Sequence, residues 1–266
     1  MIFATHKVVH SLTEKNERAV TDLRRAQTYM ERELEMAREI QRHLMPHTPP
    51  QIEGAAIYSR YIALSQVGGD YLDFLLGEKR VGILVADAAG HGVPAALVAT
   101  MAKMALDGLQ ASMDSPPALL RGLNAALLDR TNQTFLTGLY AVFNTETREL
   151  RYCMAGGPPP FLLQPGRPAR QLPGRGSLLA ILPEMKLQEQ RIVLQPGDAV
   201  VFVTDGILEC RDARGADMTE EQLTSLLSGL SGAAPADIVP LLIRELRKFV
   251  GSRGFEDDVT LVVLAA

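Results

Sequence analysis

The sequence predicts an α+β fold: a four-layer α-β-β-α sandwich of two mainly antiparallel sheets, preceded by an N-terminal coiled-coil helix. Three observations favour it. The strand patterns come in hairpin-linked groups, and two consecutive helices separate those groups. Helices do not alternate with single strands, as a doubly wound parallel sheet would require. The first 46 residues follow a different, helical period.

The N-terminal segment, residues 1–46, contains no glycine and no proline before Pro46. Its apolar positions are spaced alternately by three and four residues, which is typical of a coiled coil, and Asn16 on this seam favours a fixed register. We predict a parallel homodimer stalk; the alternative is a single helix that packs on its own domain. The seam consists of Val9, Leu12, Asn16, Ala19, Leu23, Ala26, Met30, Glu33, Ala37, Ile40 and Leu44.

Prolines at positions 46, 49 and 50 end this helix, because proline cannot continue it. We therefore place a domain boundary here, with a second domain over 47–266.

Apolar and β-branched runs predict strands at 55–64, 71–76, 81–86, 138–144, 149–154, 161–163, 190–194, 199–204 and 259–264. Apolar stripes of helical period predict helices at 93–113, 116–130, 219–228 and 235–250, and the Gly- and Pro-rich stretch 164–185 predicts a loop.

The composition excludes several classes of protein. The 266 residues carry a net charge of -4 and no basic block, so we expect no nucleic-acid partner. No apolar run approaches the ~18 residues that span a bilayer, and the first residues lack the pattern of a signal peptide. Two isolated cysteines indicate neither a disulfide framework nor a zinc site. We expect a cytoplasmic protein with no membrane partner.

Acidic residues meet the ends of four apolar strands. They are Asp70, Asp87, Asp205 and the pair Asp257 and Asp258. Carboxylates brought together repel one another unless a cation compensates them, and oxygen ligands suit Mg²⁺ or Mn²⁺. Two such ions about 3.5–4 Å apart can activate a water molecule for attack on phosphorus. An Asp-Gly at a strand end is also typical of an ordinary turn, so spacing alone leaves both interpretations open.

Five segments carry a resemblance to a known family. They are residues 37–46, 67–73, 87–97, 204–206 and 257–260. In order and spacing they resemble the bacterial branch of the metal-dependent (PPM, or protein phosphatase 2C-like) serine/threonine phosphatases. That branch contains the sporulation stage II phosphatase and the phosphatases that regulate sigma factors.

The resemblance implies roles for individual residues. Asp87 would bridge two Mn²⁺ or Mg²⁺ ions, and Asp70 with the Ala88 carbonyl would hold one of them. Asp205 and Asp257 would hold the other, with Asp258 as the alternative at the final motif. Asp70, Asp87 and Asp205 are thereby the candidate catalytic residues. Asp73 either supports the site or faces solvent.

The sequence also departs from the family pattern. Gly157 stands where a histidine is common, Cys210 where a small residue is expected, and Ala180 where glycine is usual. Ala89 occupies the place of a histidine proposed as a general acid in eukaryotic relatives, and His91 lies two residues further on. These differences concern substrate fit rather than the metal ligands.

The resemblance implies a phosphatase that acts on phosphoserine or phosphothreonine, with a small anti-sigma-factor antagonist as substrate. We expect the coiled coil to control it through helix packing at Ile40 and Leu44. One alternative is a catalytically inactive dimeric module that binds a phosphoprotein, although retention of all the acids disfavours it. Another is a small-molecule phosphatase or nuclease, which the long stalk and the lack of a basic groove make less attractive.

Overall fold

The computed structural model describes residues 2–46, 48–64 and 67–266, with side chains from residue 15 onward. The chain forms two compact units, one ending at Ile40 and the other running from Gln41 to Ala266. The predicted boundary at 46/47 stays a prediction. Within the described residues, no helix combines the length and the apolarity that crossing a membrane requires.

The first helix, α1, covers Ile2–Leu44, which confirms the predicted N-terminal helix. Its seam residues Leu23, Met30 and Ile40 are 64–70% exposed. Large apolar side chains open to water along one stripe match the coiled-coil pattern. The seam positions Val9 and Leu12 lie outside the described side chains, and the coiled coil itself stays a prediction.

The described residues form ten strands in two five-stranded sheets, and the pairings among these strands are all antiparallel. The strands of sheet 1 are β1 (Ala56–Ile62), β6 (Phe161–Leu163), β7 (Arg170–Gln171), β9 (Ala199–Val203) and β10 (Val259–Ala265). Those of sheet 2 are β2 (Asp70–Leu76), β3 (Arg80–Ala88), β4 (Leu136–Asn144), β5 (Glu149–Ala155) and β8 (Glu189–Val193). Sheet 1 has the order β1-β10-β9-β6-β7 and sheet 2 the order β2-β3-β4-β5-β8.

Helices cover the outer faces of both sheets. Helices α2 (Val93–Asp107) and α3 (Pro116–Leu127) pack on sheet 2, and α4 (Glu220–Ser228) and α5 (Pro235–Val250) pack on sheet 1. A third apolar cluster fills the space between the sheets and includes Ile83, Phe143, Phe202, Val262 and Leu264. Burial of apolar side chains in three successive layers therefore produces the predicted α-β-β-α sandwich.

Two local predictions were wrong. The helix predicted over 93–113 ends at Asp107, because Gly108 closes it with a hydrogen bond from its N–H to the Ala105 carbonyl, and only a short 3₁₀ turn follows at Gln110–Ser112. The stretch 164–185 is not all loop, since β7 adds two residues to the edge of sheet 1. Pairing with β6 fixes that strand, and a two-residue strand leaves no periodic signal in a sequence.

Candidate metal centre

The first two predicted acids face each other across a strand pair. Asp70 opens β2 and lies directly opposite Asp87 near the end of β3. A Cβ atom on Gly69, the residue before Asp70, would lie 2.8 Å from the Ala88 carbonyl oxygen and 3.0 Å from Asp87 Oδ1. Glycine is required here because any side chain would fill the space between these oxygens. The sequence thus leaves an oxygen-lined cradle open.

Two hydroxyl groups of the other sheet hold the Asp70 carboxylate. Thr204 Oγ1 donates to Asp70 Oδ2 over 2.8 Å, and Thr260 Oγ1 donates to the same oxygen over 2.6 Å. The two threonines are tied to each other as well, since the Thr260 N–H donates to Thr204 Oγ1 over 3.0 Å. Among the described residues, Asp70 Oδ1 has no hydrogen-bond donor, so one oxygen is fixed and the other is available to a ligand.

The third and fourth acids come from sheet 1. Asp205 lies in a short 3₁₀ turn after β9, and Asp257 lies just before β10. A Cβ atom on Gly206 would collide with the Asp258 carbonyl oxygen, so glycine lets the two segments approach closely. Burial raises the pKa of Asp205, the nearby charge of Asp257 raises it further, and the neighbouring Asp87 side chain opposes the shift. Asp70, Asp87, Asp205 and Asp257 therefore converge at one end of the sandwich.

The electrostatics of this cluster favour a cation. Burial raises the pKa of Asp87, and the neighbouring charges of Asp70, Asp205 and Asp257 raise it further. Burial likewise raises the pKa of Asp70, although the hydrogen bonds from its two threonines oppose the shift. Within the part of the chain that the structure describes, no lysine, arginine or histidine forms an ion pair with these four acids.

The donor chemistry fits magnesium or manganese. All the candidate ligands are oxygen atoms, namely carboxylates and the Ala88 carbonyl, and hard divalent cations prefer such ligands. The described residues contain no group of three His, Cys, Asp or Glu side chains already arranged to hold an ion. Binding would therefore need rotation of these side chains.

Asp258 has a different environment from Asp257. Its Oδ1 accepts the Leu64 N–H and its Oδ2 accepts the Gly69 N–H, each over 2.8 Å, and the Tyr61 hydroxyl donates to Oδ2 over 3.4 Å. Both oxygens are thus occupied in fixing the segment that leads into Asp70. Between the two acids of the final motif, this geometry favours Asp257 as the ligand.

The remaining residues singled out in the sequence have mainly structural positions. Asp73 is buried and does not face solvent; it accepts a hydrogen bond from Tyr71 and pairs with Lys103 Nζ over 2.8 Å. Ala89 donates its N–H to the Phe135 carbonyl. His91 is exposed in the turn between β3 and α2.

The departures from the family pattern have local explanations. Ala180 has a φ of 63°, a left-handed conformation that explains why glycine is usual there. The Cys210 thiol is buried and donates to the Gly206 carbonyl over 3.2 Å, which supports the turn that carries Asp205. Gly157 also has a positive φ, at 74°.

Several residues at the site were missed by the sequence analysis. Thr204 and Thr260 were noted only as parts of motifs, and Tyr61 was not considered. Glu209 is a further carboxylate whose pKa is raised by partial burial and by Asp205 and Asp257. The sequence feature that could have identified Glu209 was its position four residues after Asp205, in the turn that follows β9.

Gln41 was missed for another reason, because it lies outside the heptad seam. Its side chain is buried, and its amide makes two hydrogen bonds to one glycine: Nε2 donates to the Gly68 carbonyl over 2.7 Å, and Oε1 accepts the Gly68 N–H over 3.1 Å. The last turn of α1 is thereby tied to the glycine pair that precedes Asp70.

Comparison with known proteins decides the family. The sequence profile of Stage II sporulation protein E (SpoIIE) matches residues 77–266. The chain belongs to this family. It is 29% identical over 244 residues to the phosphoserine phosphatase RsbU of Bacillus subtilis (strain 168), a match that covers 91% of this chain and 72% of RsbU. Three other curated relatives are longer, and the chain spans 24–53% of their length.

Solved structures show the same fold. The SiaA-PP2C domain of Pseudomonas aeruginosa superposes with a TM-score of 0.80 at 22% identity, covering 91% of this chain and 98% of that domain. RsbX, whose crystal structure is a complex with magnesium, gives a TM-score of 0.62 at 18% identity, covering 81% of this chain and 97% of RsbX. The prediction of a PPM-type phosphatase domain is confirmed.

Replacement of Asp87 by asparagine should stabilise the metal-free protein. The pKa of Asp87 lies above its ordinary value of 3.8, so the folded state holds the proton more tightly and loses stability as the pH rises above that value. At about pH 7 with EDTA, we expect Asp87→Asn to unfold about 2–4 °C above wild type. With MnCl₂, its stabilisation should be smaller than that of wild type.

Circular dichroism melting curves measure both effects, and Asp22→Asn, at an exposed position of α1, is the control that should match wild type. A lower melting temperature of Asp87→Asn in EDTA, or equal stabilisation by Mn²⁺, would contradict the assignment.

Asp257 and Asp258 should respond differently to replacement by alanine. Asp258→Ala removes the acceptor of the Gly69 N–H, so hydrogen exchange at that amide should accelerate by about tenfold or more. Asp257→Ala should leave this exchange nearly unchanged and weaken Mn²⁺ binding by at least about tenfold, since even outer partners of a metal contribute about 10–100-fold. NMR-detected exchange and calorimetric Mn²⁺ titration distinguish the two roles, and the reverse pattern would assign the ligand to Asp258.

Proposed function

We propose that this protein is a metal-dependent phosphoprotein phosphatase that removes phosphate from phosphoserine or phosphothreonine, with a small anti-sigma-factor antagonist as substrate. The observation that carries the proposal is the pairing of Asp70 with Asp87, to which Asp205 and Asp257 converge from the second sheet. The similarity to RsbU, a phosphoserine phosphatase, supports the choice of substrate class.

The acids of this chain would together hold two Mn²⁺ or Mg²⁺ ions. Asp87 is suited to bridge, since it lies opposite Asp70 and close to Asp205. Asp70 would offer Oδ1, because Thr204 and Thr260 hold its other oxygen, and Ala88 would offer its main-chain carbonyl. Asp205 and Asp257 would complete the second site. When bound, the ions supply Lewis-acid polarisation of a water molecule and of the phosphate oxygens.

Burial of Asp70 would serve catalysis. Asp70 is 1% exposed, and the threonine hydroxyls that hold it are buried as well. Buried carboxylates fixed by hydrogen bonds keep their orientation without reorganisation during a reaction. The magnesium complex of RsbX, a protein of the same fold, supports the choice of metal.

Turnover of a phosphoserine peptide during a Mn²⁺ titration tests the proposal. We expect activity that depends on Mn²⁺, is lost in EDTA and falls by about a hundredfold or more in Asp87→Asn, because charge stabilisation at the reacting group is lost. The Asp22→Asn variant should retain wild-type activity. A wild-type protein that binds the phosphopeptide without releasing phosphate would instead support an inactive binding module.

We further propose that α1 forms a parallel homodimeric coiled coil that controls the site. The exposed seam residues Leu23, Met30 and Ile40 support dimerisation. The two hydrogen bonds from Gln41 to Gly68 support control, since they join the last turn of α1 to the segment that carries Asp70. A change of helix packing near Ile40 and Leu44 would then alter the position of Asp70.

Alanine at both Ile40 and Leu44 tests this control. We expect the double variant to change basal phosphatase activity by about fivefold or more, the lower end of typical coupling energies, with a small change in melting temperature. Arg42→Ala, at an exposed position on the side of α1 away from the seam, is the control. Sedimentation measures the dimer, and unchanged activity in a double variant with weakened dimerisation would contradict control by the coiled coil.

A further inference from the structure

A groove lies along the outer edge of sheet 1, between β1 and α5. It encloses about 720 Å³ and is lined by Ile57–Arg60 on one side and by α5 residues between Ala236 and Lys248 on the other. Successive side chains of a strand point to opposite faces of its sheet. Because four consecutive residues of β1 line the groove, its wall is the backbone edge of the strand rather than one face.

The backbone along this groove offers hydrogen-bonding groups. In sheet 1, β1 is an edge strand whose neighbour is β10. Only alternate residues of an edge strand bond to their neighbour, so the N–H and C=O groups of the others point away from the sheet. Helix α5 adds an acceptor: Pro240 has no N–H, so the Ala236 carbonyl lacks its helical donor, and both residues line the groove.

The charges of the groove have one sign, although the chain carries a net charge of -4. The ionisable side chains that line it are Arg60, Arg244, Arg247 and Lys248. Glu245 pairs with Arg244 over 3.2 Å and with Lys248 over 2.9 Å. In the described part of the chain, Arg60 and Arg247 have no carboxylate partner.

We propose that this groove binds an extended acidic segment of a partner protein, which adds to β1 as a further strand. Backbone hydrogen bonds to the edge would give affinity, and carboxylates that meet Arg60 and Arg247 would give specificity. Val239, Pro240 and Ile243 add apolar surface on the α5 side of the groove. This inference does not depend on the proposed phosphatase activity.

Two features indicate that the cations bind a ligand, rather than only preventing the edge strand from pairing with another chain. A single charged residue such as Arg60 is enough to discourage pairing of an edge strand with another chain. The three cations of α5 lie across the groove from that edge and are not needed for such protection. From Ala236 to Lys248 the helix spans about 18 Å at about 1.5 Å per residue. That length matches about five or six extended residues at about 3.3 Å each.

A labelled peptide of alternating glutamate and valine, about seven residues long, tests the proposal on the full chain by fluorescence anisotropy. We expect it to bind the wild type, and the double variant Arg60→Glu with Arg247→Glu to bind about tenfold more weakly or worse. Both side chains are exposed, so the variant should keep its melting temperature. The exposed Arg167→Glu, outside the groove, is the matched control and should bind like wild type.

Several results would overturn the proposal. Equal binding by the double variant would exclude the groove, and equal binding of a lysine-valine peptide would exclude acidic selectivity. Equal binding of a peptide methylated at alternate backbone nitrogens would exclude strand addition.

If vesicles of anionic phospholipid or single-stranded DNA bind at this groove and the peptide does not, the partner is not an acidic protein segment. Peptide-induced protection of β1 amides in wild-type hydrogen exchange supports the proposal without any variant, and its absence counts against it.

Discussion

The hydrogen bonds from Thr204 and Thr260 to one oxygen of Asp70 join the two sheets at the site. Asp70 belongs to sheet 2, whereas Thr204 directly follows β9 and Thr260 lies within β10 of sheet 1. Elsewhere the sheets meet mainly through apolar packing, which has no preferred direction. These buried directional bonds therefore fix how the acids of one sheet are aligned with those of the other.

The same arrangement carries an electrostatic cost. Burial and like charges raise the pKa values of Asp70 and Asp87, so the folded state disfavours their ionised forms when no cation is present. A large apolar core on both sides of each sheet offsets this cost. The domain thus maintains a locally unfavourable cluster because the rest of the fold is stable enough to hold it.

Much of the fold was predictable because its signals are local. Apolar runs located the strands that were predicted, and Pro235 with Val250 bounded α5 as expected. The acids stood out by their places at strand ends, but an Asp-Gly there is also typical of a turn, so the resemblance was needed to select them. Residues whose importance arises only from tertiary contacts were not: Gln41 and Gly68 are 27 residues apart, and Tyr61 and Asp258 are 197 apart. No single-sequence pattern reports such pairs, and the motifs could not decide between Asp257 and Asp258 because the two acids are adjacent.

The hydrogen bond from the Gly69 N–H to Asp258 has a consequence for synthesis of the protein. These two partners are separated by 189 residues, so a growing chain carries Gly69 and Asp70 for a long time before Asp258 exists. At about 5–20 residues per second, the interval is roughly 10–40 seconds. Until β10 has emerged from the ribosome and paired with β9, the loop ahead of Asp70 lacks this contact. Asp70 therefore gains its fixed surroundings only after the second sheet has closed.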